Sequence, residues 1–199
     1  MPRADLIARL QDALTDPAGP SSDFDLNPEF RPLENRELRP AAVLIAVRHA
    51  QRGPEVVLTR RSAHLRHHPG QIAFPGGKVD AGDADAVAAA TREAWEEIGL
   101  PPSALRQMGT LPAHETTTGF TITPVVAEVT ASVEWRPEAG EVDEVFQAPL
   151  THVLDRDRFV IKTRLWRGRR HRYYAVPYGR YYIWGATARI LRALAERVA

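Results

Sequence analysis

An α/β sandwich in one domain is the fold class this sequence predicts, on three observations. Strand-like runs surround one central helical segment, with a further helix at each end of the chain. The 199 residues suffice for one substantial domain with a full hydrophobic core and short terminal additions. Hydrophobic residues at 44% and charged residues at 26% are ordinary values for a soluble globular chain. The net charge of +1 predicts no general affinity for polyanions, so any grip on phosphate must come from local clusters. There is no cysteine, which excludes disulfides, thiolate metal sites and cysteine nucleophiles.

Leu6, Ile7, Leu10 and Leu14 recur at helical spacing, and Pro17 stops that helix. Residues 18–38, rich in Pro, Ser, Asn and Asp, read as an extended arm with no core of its own, so residues 1–38 divide from a domain at 39–199. The run Ala41–Val47 predicts a buried strand and Pro54–Thr59 its hairpin partner after a turn at Gln51–Gly53. A glycine corner at Pro75–Gly77 precedes a helix from about Asp83 to Ile98, closed by Gly99 and Pro101. Further strands are expected near 105–112, 120–129, 143–147, 158–164 and 170–176, and an amphipathic helix over 186–198. The first twenty residues hold no apolar run of signal-peptide length, no stretch approaches the ~18 apolar residues of a membrane span, and the chain ends in Arg-Val-Ala, not a peroxisomal address. A cytoplasmic protein without a membrane partner is expected.

The stretch Thr91–Leu100 carries the chemistry. On a helix Glu93, Glu96 and Glu97 cluster, while Val87, Ala90, Ala94 and Ile98 form an adjacent apolar stripe. Two unit charges ~5.5 Å apart repel by about 3 kcal/mol at an effective dielectric of ~20, and by a few tenths when solvated. A divalent cation converts that repulsion into binding, because hard cations take carboxylate oxygens. Arg92 can orient one carboxylate through a bidentate contact. Alone, such a ridge reads first as a solvated acidic face.

Its context narrows the choice. The ridge follows the glycine corner, and the arrangement resembles the Nudix box: Gly, five residues, Glu, seven residues, then Arg-Glu-apolar-x-Glu-Glu-x-Gly-apolar. Its second half is present as Arg92, Glu93, Ala94, Glu96, Glu97, Gly99 and Leu100. Counted from Gly77, the acidic position holds Asp83, and eight residues separate it from Arg92 where the general pattern has seven. That insertion is a feature of one Nudix subfamily, the coenzyme A pyrophosphatases. A second motif of that subfamily runs Leu-Leu-Thr-x-Arg-Ser, then Arg, Gly and Phe-Pro-Gly-Gly at fixed spacing. Here it reads Val57-Leu58-Thr59-Arg60-Arg61-Ser62, Arg66, Gly70 and Phe74-Pro75-Gly76-Gly77, with Val57 the single departure. Thr121–Val126 and Tyr182–Ala188 extend the resemblance, which covers roughly residues 40–195.

The resemblance implies a Nudix-type α/β/α sandwich with a mixed sheet. It implies hydrolysis of the diphosphate of coenzyme A or its acyl derivatives to 3′,5′-ADP and 4′-phosphopantetheine, dependent on Mg2+ or Mn2+. Glu93 and Glu97 would be metal ligands, Glu96 a third ligand or the group positioning water, and Arg92 their holder. Arg60, Arg61 and Arg66 with Gly76 and Gly77 would bind substrate phosphates, since arginine's fork matches phosphate and glycine lets backbone amides approach it. Glu141 is the favoured further carboxylate, ahead of Glu144 and Glu115.

Other readings stay open. One is a Nudix enzyme for another nucleoside diphosphate derivative such as ADP-ribose, and another a silent ligand-binding Nudix module. A third is nucleic-acid binding through the Arg/Trp mixture at 164–172, for which a hairpin around Gly168 with exposed arginines is the preferred explanation. No nucleic-acid partner is expected, and the chain would be a monomer or homodimer.

Overall fold

In the computed structural model, which describes residues 3–15, 19–32, 36–166 and 168–198, the chain opens with helix α1 (Arg3–Thr15) and strand β1 (Ser21–Ser22). There follow β2 (Arg39–Ala50), β3 (Gly53–Arg61), β4 (Ile72–Ala73), β5 (Gly76–Lys78) and helix α2 (Ala86–Ile98). Next come β6 (Leu105–Thr110), β7 (His114–Glu115), β8 (Phe120–Val129), β9 (Val142–Pro149) and the single turn α3 (Leu150–Val153). The chain closes with β10 (Val160–Trp166), β11 (Arg169–Tyr178), β12 (Tyr181–Trp184) and α4 (Ala186–Val198). Pro17 and Arg167, used in the sequence reading, lie outside the described residues.

The main sheet is mixed. β2 runs parallel to β8 over Arg39↔Phe120 to Arg48↔Val129 and antiparallel to β3, and β9 adds antiparallel to β3. β10, β11 and β12 form a separate antiparallel sheet, whose β10–β11 turn at Gly168 makes the expected hairpin of the arginine-rich segment. Alternation along β2 explains the layers, because successive side chains leave a strand on opposite faces. Ala42, Leu44 and Ala46 pack with Ala89, Ala90, Ala94 and Ile98 of α2. Ile45 and Val47 pack on the other face with Leu6 and Leu10 of α1 and Leu191 and Leu194 of α4. The result is the α/β/α sandwich, with α2 the helix on the face that carries the acidic ridge among the described residues.

The segment after α1, an extended arm with no core of its own by composition, is bound into the structure. β1 adds parallel to β7, Phe24 is 4% exposed, and buried His114 links Ser21 Oγ at its Nδ1 (2.9 Å) to Asp23 Oδ1 at its Nε2 (3.1 Å). Strands of two or three residues leave no periodicity, so β1, β4, β5 and β7 escape a pattern search. Among the described residues no helix is long and apolar enough to cross a membrane.

The fully buried Leu10 makes α1 part of the shared core. Leu10→Ala is expected to destabilise the protein by about 2–5 kcal/mol in urea denaturation. A change below about 0.5 kcal/mol, typical of surface positions, would show that α1 does not pack as described.

Candidate active site

Helix α2 begins three residues later than its pattern predicts, for a local reason. Asp85 caps it, its side chain accepting from the Ala88 N–H at 2.8 Å, so Asp83 is left in the preceding turn. Gly99 ends the helix in the left-handed conformation at φ 68°. With Ala90, Ala94 and Ile98 turned into the sheet, Glu93 and Glu97 are directed along the flank towards β5.

There they meet the glycine corner. The Gly76 N–H donates to Glu97 Oε2 at 3.0 Å, and Glu97 is only 4% exposed. Gly76 has φ 152°, and a Cβ there would stand 2.3 Å from the Ala42 carbonyl oxygen. A Cβ on Gly77 would lie 2.4–2.6 Å from the Glu93 carboxylate, which occupies that space. The two glycines thus let β5 press against β2 on one side and against the carboxylates of α2 on the other.

Arg92 organises the ridge more broadly than a single contact. Its Nε and Nη2 each reach Asp83 at 2.9 Å, in the bidentate fork. Its Nη1 donates to Glu93 Oε1 at 3.0 Å and Glu96 Oε2 at 2.9 Å, and Nη2 also reaches the Lys78 carbonyl at 3.2 Å. The bonds from Arg92 hold Asp83 below the usual carboxylate range. Those with Asp83 and Glu93 drive Arg92 further up, so this guanidinium stays charged throughout. Asp83, which sequence alone places only in the acidic slot of a motif, is therefore the main anchor of Arg92. The signal for it in the sequence is the acidic residue at the motif's acidic position, two residues before the Asp85 cap.

The inner carboxylates behave oppositely. Burial raises Glu93 despite Arg92, with Glu96 and Glu141 adding to the rise. Burial pushes Glu97 up to about 7, against the Gly76 bond and Arg61, with Glu93 and Glu141 adding again. An anionic pocket short of positive charge is the condition a cation relieves.

The other candidate residues separate into two groups. Arg61 turns to the ridge, its Nη1 3.8 Å from Glu97 Oε1, whereas Arg60, next along the strand, faces away and stands 3.6 Å from Glu144. Glu144 is further engaged by the Tyr181 hydroxyl at 2.7 Å and by Arg180, and Glu115 is paired with Arg36 at 3.2 Å. Glu141 is exposed, forms no ion pair among the described residues, and lies close enough to raise both Glu93 and Glu97. Its backbone carbonyl accepts from the Ser62 N–H at 2.8 Å, which ties the loop before β9 to the arginine segment. Arg66 is exposed on the loop between β3 and β4. The side chain of Glu96 is 55% exposed and turned to Arg92.

Among the described residues no three carboxylates or histidines already converge on one ligating point. The donor set still fits a hard divalent ion: Glu93 and Glu97 supply oxygen donors side by side, and both are raised by burial that a cation would offset. The arrangement can hold a cation against an incoming anion, with Arg61 available to that anion.

Comparison with known proteins bears on this site. A family model described as NUDIX domain matches residues 38–167. A Salmonella paratyphi B protein named uncharacterized Nudix hydrolase NudL is 45% identical over 166 residues, 83% of this chain and 85% of that one. The protein of the same name in Salmonella newport matches to the same extent. Among solved structures, the Nudix hydrolase RenU of M. smegmatis is similar with a TM-score of 0.50 and 28% identity, over 59% of this chain and 74% of its own.

Proposed function

The chain belongs to the Nudix family and is a Nudix hydrolase, and from that premise we propose that its reaction is hydrolysis of the diphosphate bridge of coenzyme A and its derivatives to 3′,5′-ADP and 4′-phosphopantetheine. The observation that carries this reading is the junction between the upstream arginine segment and the ridge. Arg61 and Gly76, from the two ends of the segment that resembles the coenzyme A pyrophosphatase signature, both address the carboxylate of Glu97. A substrate diphosphate at the ridge would thus meet Arg61 and the glycine corner together.

Nudix hydrolases use divalent ions such as Mg2+ or Mn2+; held by Glu93 and Glu97 with Glu96 as a third ligand, the ion would supply positive charge against the phosphoryl oxygens and a more acidic water. Arg92 keeps Glu93 and Glu96 in place through its anchor on Asp83. Arg61 would bind a phosphoryl oxygen of the bridge, and Arg66, exposed on its loop, would meet the other phosphate of the bridge. The water oxygen bonds to one phosphorus as the bridging P–O bond breaks, and a carboxylate oxygen of Glu141 takes the released proton. Attack at either phosphorus gives the same two products. The expected partner is a small molecule.

The test is chromatographic. Purified protein with Mg2+ or Mn2+ is incubated with coenzyme A, ADP-ribose and diadenosine polyphosphates. Release of 3′,5′-ADP from coenzyme A with the highest kcat/KM of the panel is the expected result. Cleavage of ADP-ribose with coenzyme A untouched would overturn the substrate assignment while keeping the ridge. No cleavage of any of the three, with binding retained, would point to a silent ligand-binding module.

A further inference from the structure

The three-stranded sheet carries a cationic and aromatic face that the hydrolytic site leaves unused. Register sets Arg164 opposite His171, Lys162 opposite Tyr173 and Ala175 opposite Trp184, so these side chains share one face. The guanidinium of Arg164 lies 4.8 Å from the centroid of the Trp184 ring and 6.0 Å from that of Trp166. It forms no ion pair or hydrogen bond with another described residue, so its donor fork is open.

Of the other charged residues that line this cleft, Arg189 and Asp23 are already engaged, and Arg172, opposite Thr163 in the register, sends its side chain to the other face of the sheet. Arg189 pairs with Asp25 at 2.7 Å. Asp23 also lines the cleft, but it accepts from His114 and from the Thr117 N–H at 2.9 Å, and these bonds, outweighing its burial, hold it below the usual range. Arg164 is thus a cation without a counter-anion. Two imidazoles sense the same field: His68 and His171 are each pushed down, first by burial and then by arginines, Arg61 and Arg164 for the one and Arg164 and Arg169 for the other.

His68 connects the two sites. It sits in the loop between β3 and β4 with a left-handed φ of 56° and is bonded to Gln71. The Gln71 amide in turn lies 3.3 Å from where a Cβ on Gly185 would be, just beyond Trp184. His68 therefore lies within the field of both Arg61, at Glu97, and Arg164. The cleft beside Arg164 holds about 80 Å3, well under the ~300–1,000 Å3 of a pocket for a whole ligand. It is sized for one substituent.

We propose that this cleft is a second anion subsite, in which Arg164, backed by Trp184, binds the phosphomonoester on the ribose of the substrate's adenosine end. The assignment rests on the coenzyme A reading, since that substrate carries a phosphate apart from its diphosphate bridge. Arg164 then acts as a specificity determinant: it recognises the 3′-phosphate and takes no part in bond cleavage.

Two measurements on the full chain test this. Calorimetry without metal compares 3′,5′-ADP with 5′-AMP. The wild type should bind 3′,5′-ADP about tenfold or more tightly, the scale of one charge-assisted contact, and Arg164→Ala should erase the preference. Kinetics compare coenzyme A with its dephospho form, and the ratio of their kcat/KM values should fall by about the same factor in Arg164→Ala. Arg164 is exposed, so the substitution leaves the core untouched. Equal effects on both ligands, or no effect on either, would overturn the subsite. So would a single-stranded DNA oligomer retained by the wild type and lost in Arg164→Ala while the ratio stays fixed, which marks a nucleic-acid surface. If neither coenzyme is cleaved but the Arg164-dependent preference for 3′,5′-ADP persists, the subsite stands and the proposed reaction fails.

Discussion

Glu97→Gln is expected to lower metal-dependent hydrolysis by about 1,000-fold or more, roughly 4 kcal/mol of barrier, while making the metal-free protein more stable at alkaline pH. The two effects share one cause. Glu97 is nearly enclosed, and burial lifts its carboxyl from an ordinary 4.5 to about 7. The folded state therefore holds a proton that the unfolded chain releases between those values. Stability from this group is complete below pH ~4.5 and is lost as pH rises through ~7, a penalty on the order of 3 kcal/mol by pH 8. Glutamine keeps the acceptor for the Gly76 N–H without the charge. By thermal unfolding without metal at pH 8, the variant should melt roughly 5–10 °C above the wild type, and the gap should close near pH 4.5. Adding Mg2+ should raise the wild type selectively. Identical pH profiles for the two proteins would show that Glu97 ionises as an ordinary solvated carboxylate.

The glycine corner gives the second large effect, and its two members should fail differently. In Gly77→Ala the three atoms nearest the new methyl all belong to the Glu93 carboxylate, the end of a side chain that can turn aside, so the fold should lose less than about 1 kcal/mol. Glu93 must nevertheless leave its place. Misplacement of about an ångström at a reacting centre lowers rates by ~100-fold, which is the loss expected in kcat. In Gly76→Ala the methyl meets the backbone at Ala42 and Val43, which cannot yield in the same way, and the left-handed φ adds strain. That variant should lose on the order of 3–5 kcal/mol of stability in urea denaturation. If both variants lost stability alike with activity preserved in the survivors, Glu93 would not depend on the Gly77 surface.

Much of this was legible in the residues. Helix α4 matches its predicted 186–198 bounds because its apolar residues keep helical spacing throughout, and β8 its predicted 120–129 because it is an apolar run, continuously buried from Pro124 to Val129. The acidic ridge and its buried alanine stripe follow from helical spacing alone. Direction was harder to read. Arg60 and Arg61 are equal in the sequence, and only the pairing of β3 with β4 and β9 decides which one faces Glu97. The bidentate bond of Arg92 to Asp83 depends on a turn that Asp85, by capping α2, leaves outside the helix. Residues 21–25 read as loop by composition, yet they are fixed by long-range bonds to 114–117 that no local pattern announces. The arginine-rich hairpin was legible as a hairpin, but the stacking of Arg164 on Trp184 required β12 beside it.

The central claim is that the flank of α2 beside the glycine corner is a divalent-cation site. Electron paramagnetic resonance of Mn2+ titrated into the wild type, Glu93→Gln, Glu97→Gln and Glu115→Gln tests it without any substrate. Saturable binding in the wild type and in Glu115→Gln, weakened at least tenfold in Glu93→Gln and in Glu97→Gln, is the result expected. Equal Mn2+ affinity in all four proteins would contradict it, and with it the assignment of hydrolysis to this ridge.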